Sequence, residues 1–321
     1  MSGARRGPRP RRPPGERFVG VVARRGRFQV VEPLFERGGQ VPLARGKLDA
    51  RPGAMVLAEP GARGARAVRI LGSPSRARDV VDAILWEGLA RRGFPRRLEE
   101  DAGAAAGAAR EVGPKRRDLR DLATFTVDPS TARDFDDAVS AQPDGDGVRL
   151  WIHIADVSAH VRPGTALDAE ALRRGTSVYV PGMVEPMLPR TLSDEACSLA
   201  PGVERFAVTA EVRLDGAGAA RQATFYRSLI RSDARLDYDQ LDEIFAGRGA
   251  APGEVAEPLD LARRASAALA AARPVGALEI ESFEPEFEFD ADGEVTAAQG
   301  VPQTEAHRLI EHLMILTNEQ V

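Results

Sequence analysis

The chain has 321 residues, 43% of them hydrophobic, 29% charged and only 5% aromatic. A single cysteine, Cys197, excludes an internal disulfide framework and a thiolate zinc site, and four histidines show no His-x-x-x-His spacing. The net charge of −4 conceals an asymmetry: residues 1–120 carry 27 basic against 13 acidic side chains, and the rest carry 17 against 35. A basic front and an acidic rear suit a polyanion-binding module joined to a carboxylate-rich one, although a charge dipole that only aids solubility has the same composition. No apolar run approaches the ~18 residues of a membrane helix. The stretch Phe18–Ala23 is shorter than the ~7–15 residues of a signal h-region. A soluble, cytoplasmic protein is expected.

Residues 1–16 hold five Arg, four Pro and three Gly without apolar periodicity, so they read as a disordered basic arm, for RNA contact or for solvation. From Arg17 to Gly72 the chain alternates short β-prone runs with Gly and Pro. The runs are 18–22, 27–31, 39–43, 54–58 and 65–71, which predicts a small β-barrel of the OB type over residues 17–72. Phe28 and Phe35 beside Arg24, Arg25, Arg27 and Arg37 form either a base-stacking platform or part of the barrel core. Residues 73–117 read as a helical linker. Ser75 or Asp79 caps a stretch with Val80, Val81, Ile84, Leu85 and Leu89 at helical spacing, and Gly113-Pro114 marks a boundary. From Asp118 onward, Val148–Ala155 alternates as a strand. Asp144-Gly-Asp-Gly147 reads as a hairpin turn joining it to Ala138–Ala141, in preference to a calcium loop. Helices are predicted over 166–174, 237–246, 259–273 and 304–320.

The strongest local signal is Asp128-Pro-Ser-Thr-Ala-Arg-Asp134-Phe-Asp136-Asp137, four carboxylates within ten residues and one cation among them. Pro129 and Ser130 favour an irregular loop, set between the apolar runs 123–127 and 138–141. Carboxylates so close repel and raise one another's pKa unless a cation lies between them. Hard oxygen donors without His or Cys select Mg²⁺ or Mn²⁺ over zinc. Two such ions about 3.5–4 Å apart activate water and stabilise a leaving oxygen in phosphoryl transfer. The alternative is a solvated acidic turn.

Further short motifs follow in register: Asp118-Leu-Arg-Asp121, Trp151-Ile-His-Ile-Ala-Asp-Val-Ser158, Arg174-Gly-Thr-Ser-Val-Tyr-Val-Pro181, Pro186-Met-Leu-Pro189, Leu192-Ser193, Cys197-Ser-Leu199, Ala234-Arg-Leu236 with Tyr238, and His307-Arg-Leu-Ile-Glu311. In order and spacing they resemble the RNB catalytic domain of the ribonuclease II / ribonuclease R family over residues 118–321. The barrel at 17–72 is similar to that family's cold-shock-type OB domain. The resemblance implies a multidomain protein, an OB-type barrel followed by a mixed α+β RNB domain. It also implies a metal-dependent hydrolytic 3′→5′ exoribonuclease that releases 5′-monophosphates from single-stranded RNA.

Carried over by position, Asp128, Asp134, Asp136 and Asp137 are the metal-binding and catalytic aspartates. The resemblance implies that Tyr179 clamps terminal nucleotides, that Tyr238 approaches the scissile end, and that Glu311 helps to fix the RNA 3′ end. From the residues alone, Tyr179 is either a stacking ring at a strand-to-turn edge or a core tyrosine, and Glu311 is either a functional acid or a surface glutamate. His153 and His160 read as structural, and Cys197 as a small buried residue.

Three departures from the family accompany these matches. His312 follows Glu311 where a second acid is frequent, and Ile280 replaces a second stacking Phe. The chain ends before the family's Ser-Pro-Ile-Arg-type segment and C-terminal OB domain, so a truncated RNB domain is expected. The alternative to turnover is an RNA-binding module. A monomer without a protein partner is the expected state.

Overall fold

Alternation of apolar and polar residues between Phe18 and Gly72 becomes a set of antiparallel strands. The computed structural model describes residues 16–36, 38–46, 48–88, 92–108, 116–272, 284–290 and 294–321. Residues 1–15 of the basic arm (1–16), Arg37, Leu89, Gly113-Pro114 and Ile280 lie outside them. In chain order the elements begin with β1 (Phe18–Arg25), β2 (Phe28–Pro33), β3 (Val41–Pro42), β4 (Met55–Gly61) and β5 (Gly64–Gly72). Helices α1 (Ala77–Gly88) and α2 (Arg96–Ala108) come next, then β6 (Arg117–Asp118), β7 (Phe125–Asp128), β8 (Asp137–Asp144) and β9 (Gly147–Ala155). Helix α3 (Ala166–Arg174) leads to a hairpin of β10 (Val178–Val180) and β11 (Met183–Glu185). Strands β12 (Glu204–Leu214), β13 (Ala220–Arg231) and β14 (Ala234–Asp237) precede α4 (Tyr238–Phe245) and α5 (Ala256–Ala272). The chain closes with β15 (Glu284–Phe289), β16 (Val295–Val301) and α6 (Glu305–Gln320).

Two units result. The first takes the chain up to Gly93 with Tyr179–Glu185 and Pro285–Gln299. Its five strands run in the order β3-β2-β1-β4-β5, and a parallel bridge from Leu43 to Ala65 joins the two ends into a barrel-like closure. The predicted run 39–43 thus shrinks to Val41–Pro42 and that bridge. Phe18, Val22, Val31 and Val56 fill the interior, and the opposite face packs Val19, Met55 and Leu57 against Ala83 of α1. Gly20 is required where β1 crosses β2, because a Cβ there would lie 2.7 Å from the Glu32 carbonyl oxygen. Asp79 sits in the first turn of α1 and accepts the Ser73 N–H at 2.8 Å.

The second unit takes Phe94–Val178, Pro186–Glu284 and Gly300–Val321. Its seven-stranded sheet has the order β14-β7-β8-β9-β12-β13-β6. Side chains alternate across it with period two. Phe125, Val139, Leu150, Ile152 and Val212 meet Leu241, Leu259, Leu309 and Leu313 of α4, α5 and α6. Ala138, Ala155, Ala207 and Ile230 meet Leu98 of α2, Leu167 of α3, and Leu192, Cys197 and Leu199. Helix α2, predicted within a linker, therefore packs into this unit's core.

A buried polar row runs on that second face from Thr124, just before β7, across the four neighbouring strands β8, β9, β12 and β13. Thr124 Oγ1 lies 2.7 Å from Ser140 Oγ, which lies 3.1 Å from His153 Nε2. His153 Nδ1 lies 2.9 Å from Thr209 Oγ1, which lies 2.6 Å from Ser228 Oγ. Mutual pairing is what makes this burial tolerable. Among the described residues no helix is long and apolar enough to cross a membrane.

Candidate functional site

The acidic loop is the turn between β7 and β8, and its backbone is held from several sides. The Arg235 guanidinium on β14 donates to the carbonyls of Pro129 at 3.0 Å and Ser130 at 2.8 Å. The Ser198 hydroxyl donates to the Arg133 carbonyl at 2.9 Å and accepts the Phe135 N–H at 3.0 Å. The Leu199 N–H donates to the Phe135 carbonyl at 2.8 Å, and the Ala155 N–H to the Asp136 carbonyl at 2.9 Å. Phe135 is buried beneath the loop, with the Arg235 guanidinium 5.2 Å from its ring centroid.

Asp128 ends β7 in the protein interior, Asp134 and Asp137 are half-buried, and Asp136 is the most open of the four. Burial, then the charge of Asp137, pushes the Asp128 carboxyl up to about 7. Burial, then the charge of Asp136, pushes Asp137 up to about 6. Asp136 is raised as well, by partial burial of its carboxyl and then by Asp134. One oxygen of Asp128 and one of Asp137, Oδ2 in each, are buried without a hydrogen-bond partner. Leaving such oxygens unmet costs on the order of 1–3 kcal/mol each, and more when ionised. Among the described residues, no three His, Cys, Asp or Glu side chains are gathered tightly enough to hold a metal as they stand. The donor chemistry nevertheless fits a hard divalent cation: the donors are all oxygen, mutually repelling, and two are unmet.

Strand β14 runs parallel to β7, with Asp237 in register with Asp128. Asp237 also caps α4, accepting the Gln240 N–H at 2.8 Å while Gln240 Oε1 accepts the Asp237 N–H at 3.2 Å. Tyr238, half-buried, is therefore the first residue of α4, directly after the register partner of Asp128. Glu311 is exposed on α6 and accepts a hydrogen bond from Gln303 at 2.7 Å. His312, the departure noted in the sequence, is buried against Ser266 of α5 at 2.8 Å.

The other predicted residues fall in the first unit. Tyr179 is 62% exposed on β10, so it is no core tyrosine. Phe28 is exposed to the same degree, with the Arg27 guanidinium 5.0 Å from its ring centroid. Arg25 is paired with Glu32 at 2.8 Å. Phe35 packs against the Val19–Met55 cluster, which removes it from a stacking platform.

Two contributors to the loop escaped sequence reasoning, Ser198 and Arg235, as did a buried ion pair of Arg116 with Asp156 at 2.5 Å elsewhere in the same unit. The only signal for the first two was their place inside Cys197-Ser-Leu and Ala234-Arg-Leu. A cavity of about 690 Å³ lined by His160, Glu195, Arg205 and Phe206 includes none of the four aspartates. Cys197, buried, has its thiol pushed up to about 12 by burial, which leaves it inert.

The family model of the RNB domain matches residues 116–321. Ribonuclease R of Vibrio cholerae is 39% identical over 231 residues, 70% of this chain and 28% of that protein. Ribonuclease R of Aquifex aeolicus is 36% identical over 266 residues, 81% of this chain and 38% of that protein. Ribonuclease R of Thermotoga maritima is 34% identical over 334 aligned positions, 95% of this chain and 46% of that protein. The chain thus spans less than half the length of these relatives.

Among solved structures, Mycoplasma genitalium RNase R in complex with ribose-methylated single-stranded RNA superposes with a TM-score of 0.84 at 23% identity, covering 95% of this chain and 50% of that one. Yeast Ssd1, described as a pseudonuclease, gives 0.67 at 18% identity, covering 97% of this chain and 41% of that one. Both likenesses establish the fold. With the braced acidic loop lying inside the matched segment, the chain belongs to the RNB-domain family, among relatives named ribonuclease R.

Proposed function

We propose that this chain carries the acidic centre of a divalent-metal-dependent hydrolytic 3′→5′ exoribonuclease, which acts on single-stranded RNA and releases 5′-nucleoside monophosphates. The observation that carries the reading is the pair of buried, unmet carboxylate oxygens on Asp128 and Asp137, in a loop whose backbone is already fixed. Asp128, Asp134, Asp136 and Asp137 would hold Mg²⁺, with Mn²⁺ as substitute. When bound, the ion supplies Lewis-acid charge stabilisation and a more acidic water. The chain's own residues set the loop: Arg235 and Ser198 hold its backbone, and burial keeps bulk water from Asp128. Tyr238 borders the scissile end, Glu311 helps to seat the RNA 3′ terminus, and Tyr179 stacks on a base.

In this reading residues 17–72 form a cold-shock-like OB barrel. Phe28, Arg25 and Arg27 on its β1–β2 hairpin contact RNA by stacking and charge. Residues 118–321 form the RNB part. The protein works as a cytoplasmic monomer. The test is Asp136→Asn assayed on a 3′-labelled oligoribonucleotide. Losing a charge contribution of several kcal/mol lowers hydrolysis by on the order of 10²–10³-fold, while RNA binding survives. Unchanged hydrolysis would refute the reading.

A second reading, RNA retention without turnover, draws on the fold shared with a protein described as a pseudonuclease. It predicts binding that is indifferent to EDTA and no mononucleotide product.

A further inference from the structure

Tyr238 and His307 lie ring on ring, their centroids 4.0 Å apart and their planes 11° from parallel. Tyr238 opens α4 directly after Asp237, the register partner of the buried Asp128. His307 arrives from 69 positions further along the chain, in the first turn of α6. Three attachments fix that turn. Thr304, the N-cap, accepts the His307 N–H at 3.5 Å, and its hydroxyl lies 2.7 Å from His307 Nδ1. Asp242 of α4 accepts the Ala306 N–H at 3.2 Å. Arg263 of α5 grips Glu305 with two hydrogen bonds, at 2.6 and 2.9 Å. The imidazole is thus oriented by a hydroxyl at one ring nitrogen and by the phenol ring across its face.

A tyrosine at the start of a helix has more than one staggered χ1 well open to it. A parallel ring held at van der Waals distance closes the alternatives, and offset aromatic stacking favours the closed arrangement. Fixing a substrate-facing ring before the substrate arrives is the service a supporting residue gives a site. None of the sequence motifs assigned such a task to His307.

We infer that His307 is a positioning residue: held by Thr304, its imidazole pins the Tyr238 ring at the start of α4, one residue after the register partner of Asp128. The inference rests on the proposed role of Tyr238 at the RNA end, and His307 acts through that ring.

The test is a double-mutant cycle in the 321-residue chain, with Tyr238→Ala, His307→Ala, their combination, and His307→Phe. Readouts are kcat and KM on an oligoribonucleotide in Mg²⁺, circular dichroism for folding, and the His307 ring-proton resonances. Contacting residues couple, so His307→Ala should lower kcat by about tenfold and Tyr238→Ala by at least as much. The combination should be no worse than Tyr238→Ala alone. His307→Phe, which restores a ring, should stay within about threefold of wild type, and Tyr238→Ala should shift the His307 resonances.

Effects that multiply in the combination would overturn the inference. So would a folded His307→Ala at wild-type rate beside an impaired Tyr238→Ala. Unmoved His307 resonances in Tyr238→Ala would remove the stack itself, whatever the rates. A Tyr238→Ala protein at wild-type rate would remove the role of Tyr238, and the positioning role with it. If the wild-type chain releases no nucleotide, the proposed function fails on its own, and the same cycle is decided on oligoribonucleotide Kd with the same non-additivity expected.

Discussion

Asp128 and Asp137 show why an acidic cluster in a folded chain differs from one in solution. Their pKa values are raised from 3.8 to about 7 and about 6, with burial first and neighbouring charge second. A raised folded-state value means that the native protein holds these protons more tightly than the unfolded chain. The associated stability is complete below pH 3.8 and lost as pH rises through 6 and 7. In EDTA, the thermal midpoint of wild type should therefore fall by several degrees relative to Asp128→Asn between pH 4 and pH 8. Added Mg²⁺ should return that loss, most strongly at the alkaline end. Midpoints of the two proteins that run parallel across this range would contradict the assignment.

The density of aspartates was legible in the sequence because their spacing is local. The orphaned oxygens were not, because their burial depends on how distant parts of the chain pack around them. His153 makes the same point: flanked by apolar residues in the sequence, it is wholly buried in the fold, and burial pushes its imidazole down to about 3. Its structural role there, bonded to Ser140 and Thr209, matches the sequence expectation.

Among the elements, the loop between β7 and β8 is positioned by segments distant in the chain. Ser198 follows a six-residue π-helical turn, Thr191–Ala196, and joins Arg133 to Phe135 through one hydroxyl. Ser198→Ala should leave a buried amide and a carbonyl unmet, destabilising the fold by about 1–3 kcal/mol in urea unfolding. It should also slow RNA hydrolysis while the four aspartates remain. A variant as stable and as active as wild type would show that the brace is dispensable.

Local signals read well where chemistry is local. Asp144-Gly-Asp-Gly147 does turn β8 into β9, with Gly145 at a φ of 63°. Asp237 and Gln240 form the capping box that starts α4. The long β12–β13 hairpin was missed. The β13 sequence Ala-Arg-Gln-Ala-Thr-Phe-Tyr-Arg puts charged and exposed residues on an outward face, and its strand identity comes from pairing with β12 over eleven register positions. The π-helical turn has no sequence signature, since its widened ring is set by Cys197 and Leu192 packing into the core.

For the whole molecule, the two units are not successive blocks of sequence. Tyr179–Glu185 and Pro285–Gln299 leave the RNB segment to join the first unit. Inside that unit Glu185 is buried and accepts the Gly93 N–H at 2.5 Å and the Arg92 Nε–H at 3.2 Å. A reading in chain order cannot foresee such an exchange, because the partners lie more than 90 positions apart. Charge asymmetry between residues 1–120 and the remainder was visible from the start, although its boundary does not coincide with that between the two units.

The most direct check on the acidic centre is Mn²⁺ titration followed by electron paramagnetic resonance, with an oligoribonucleotide present, on wild type and on Asp128→Asn and Asp136→Asn. Wild type should take up Mn²⁺ in competition with Mg²⁺, and each substitution should weaken that uptake by at least about tenfold. Wild-type chain that takes up no ion beyond what the RNA alone binds, or substituted chains that bind as wild type does, would contradict a metal centre in this loop.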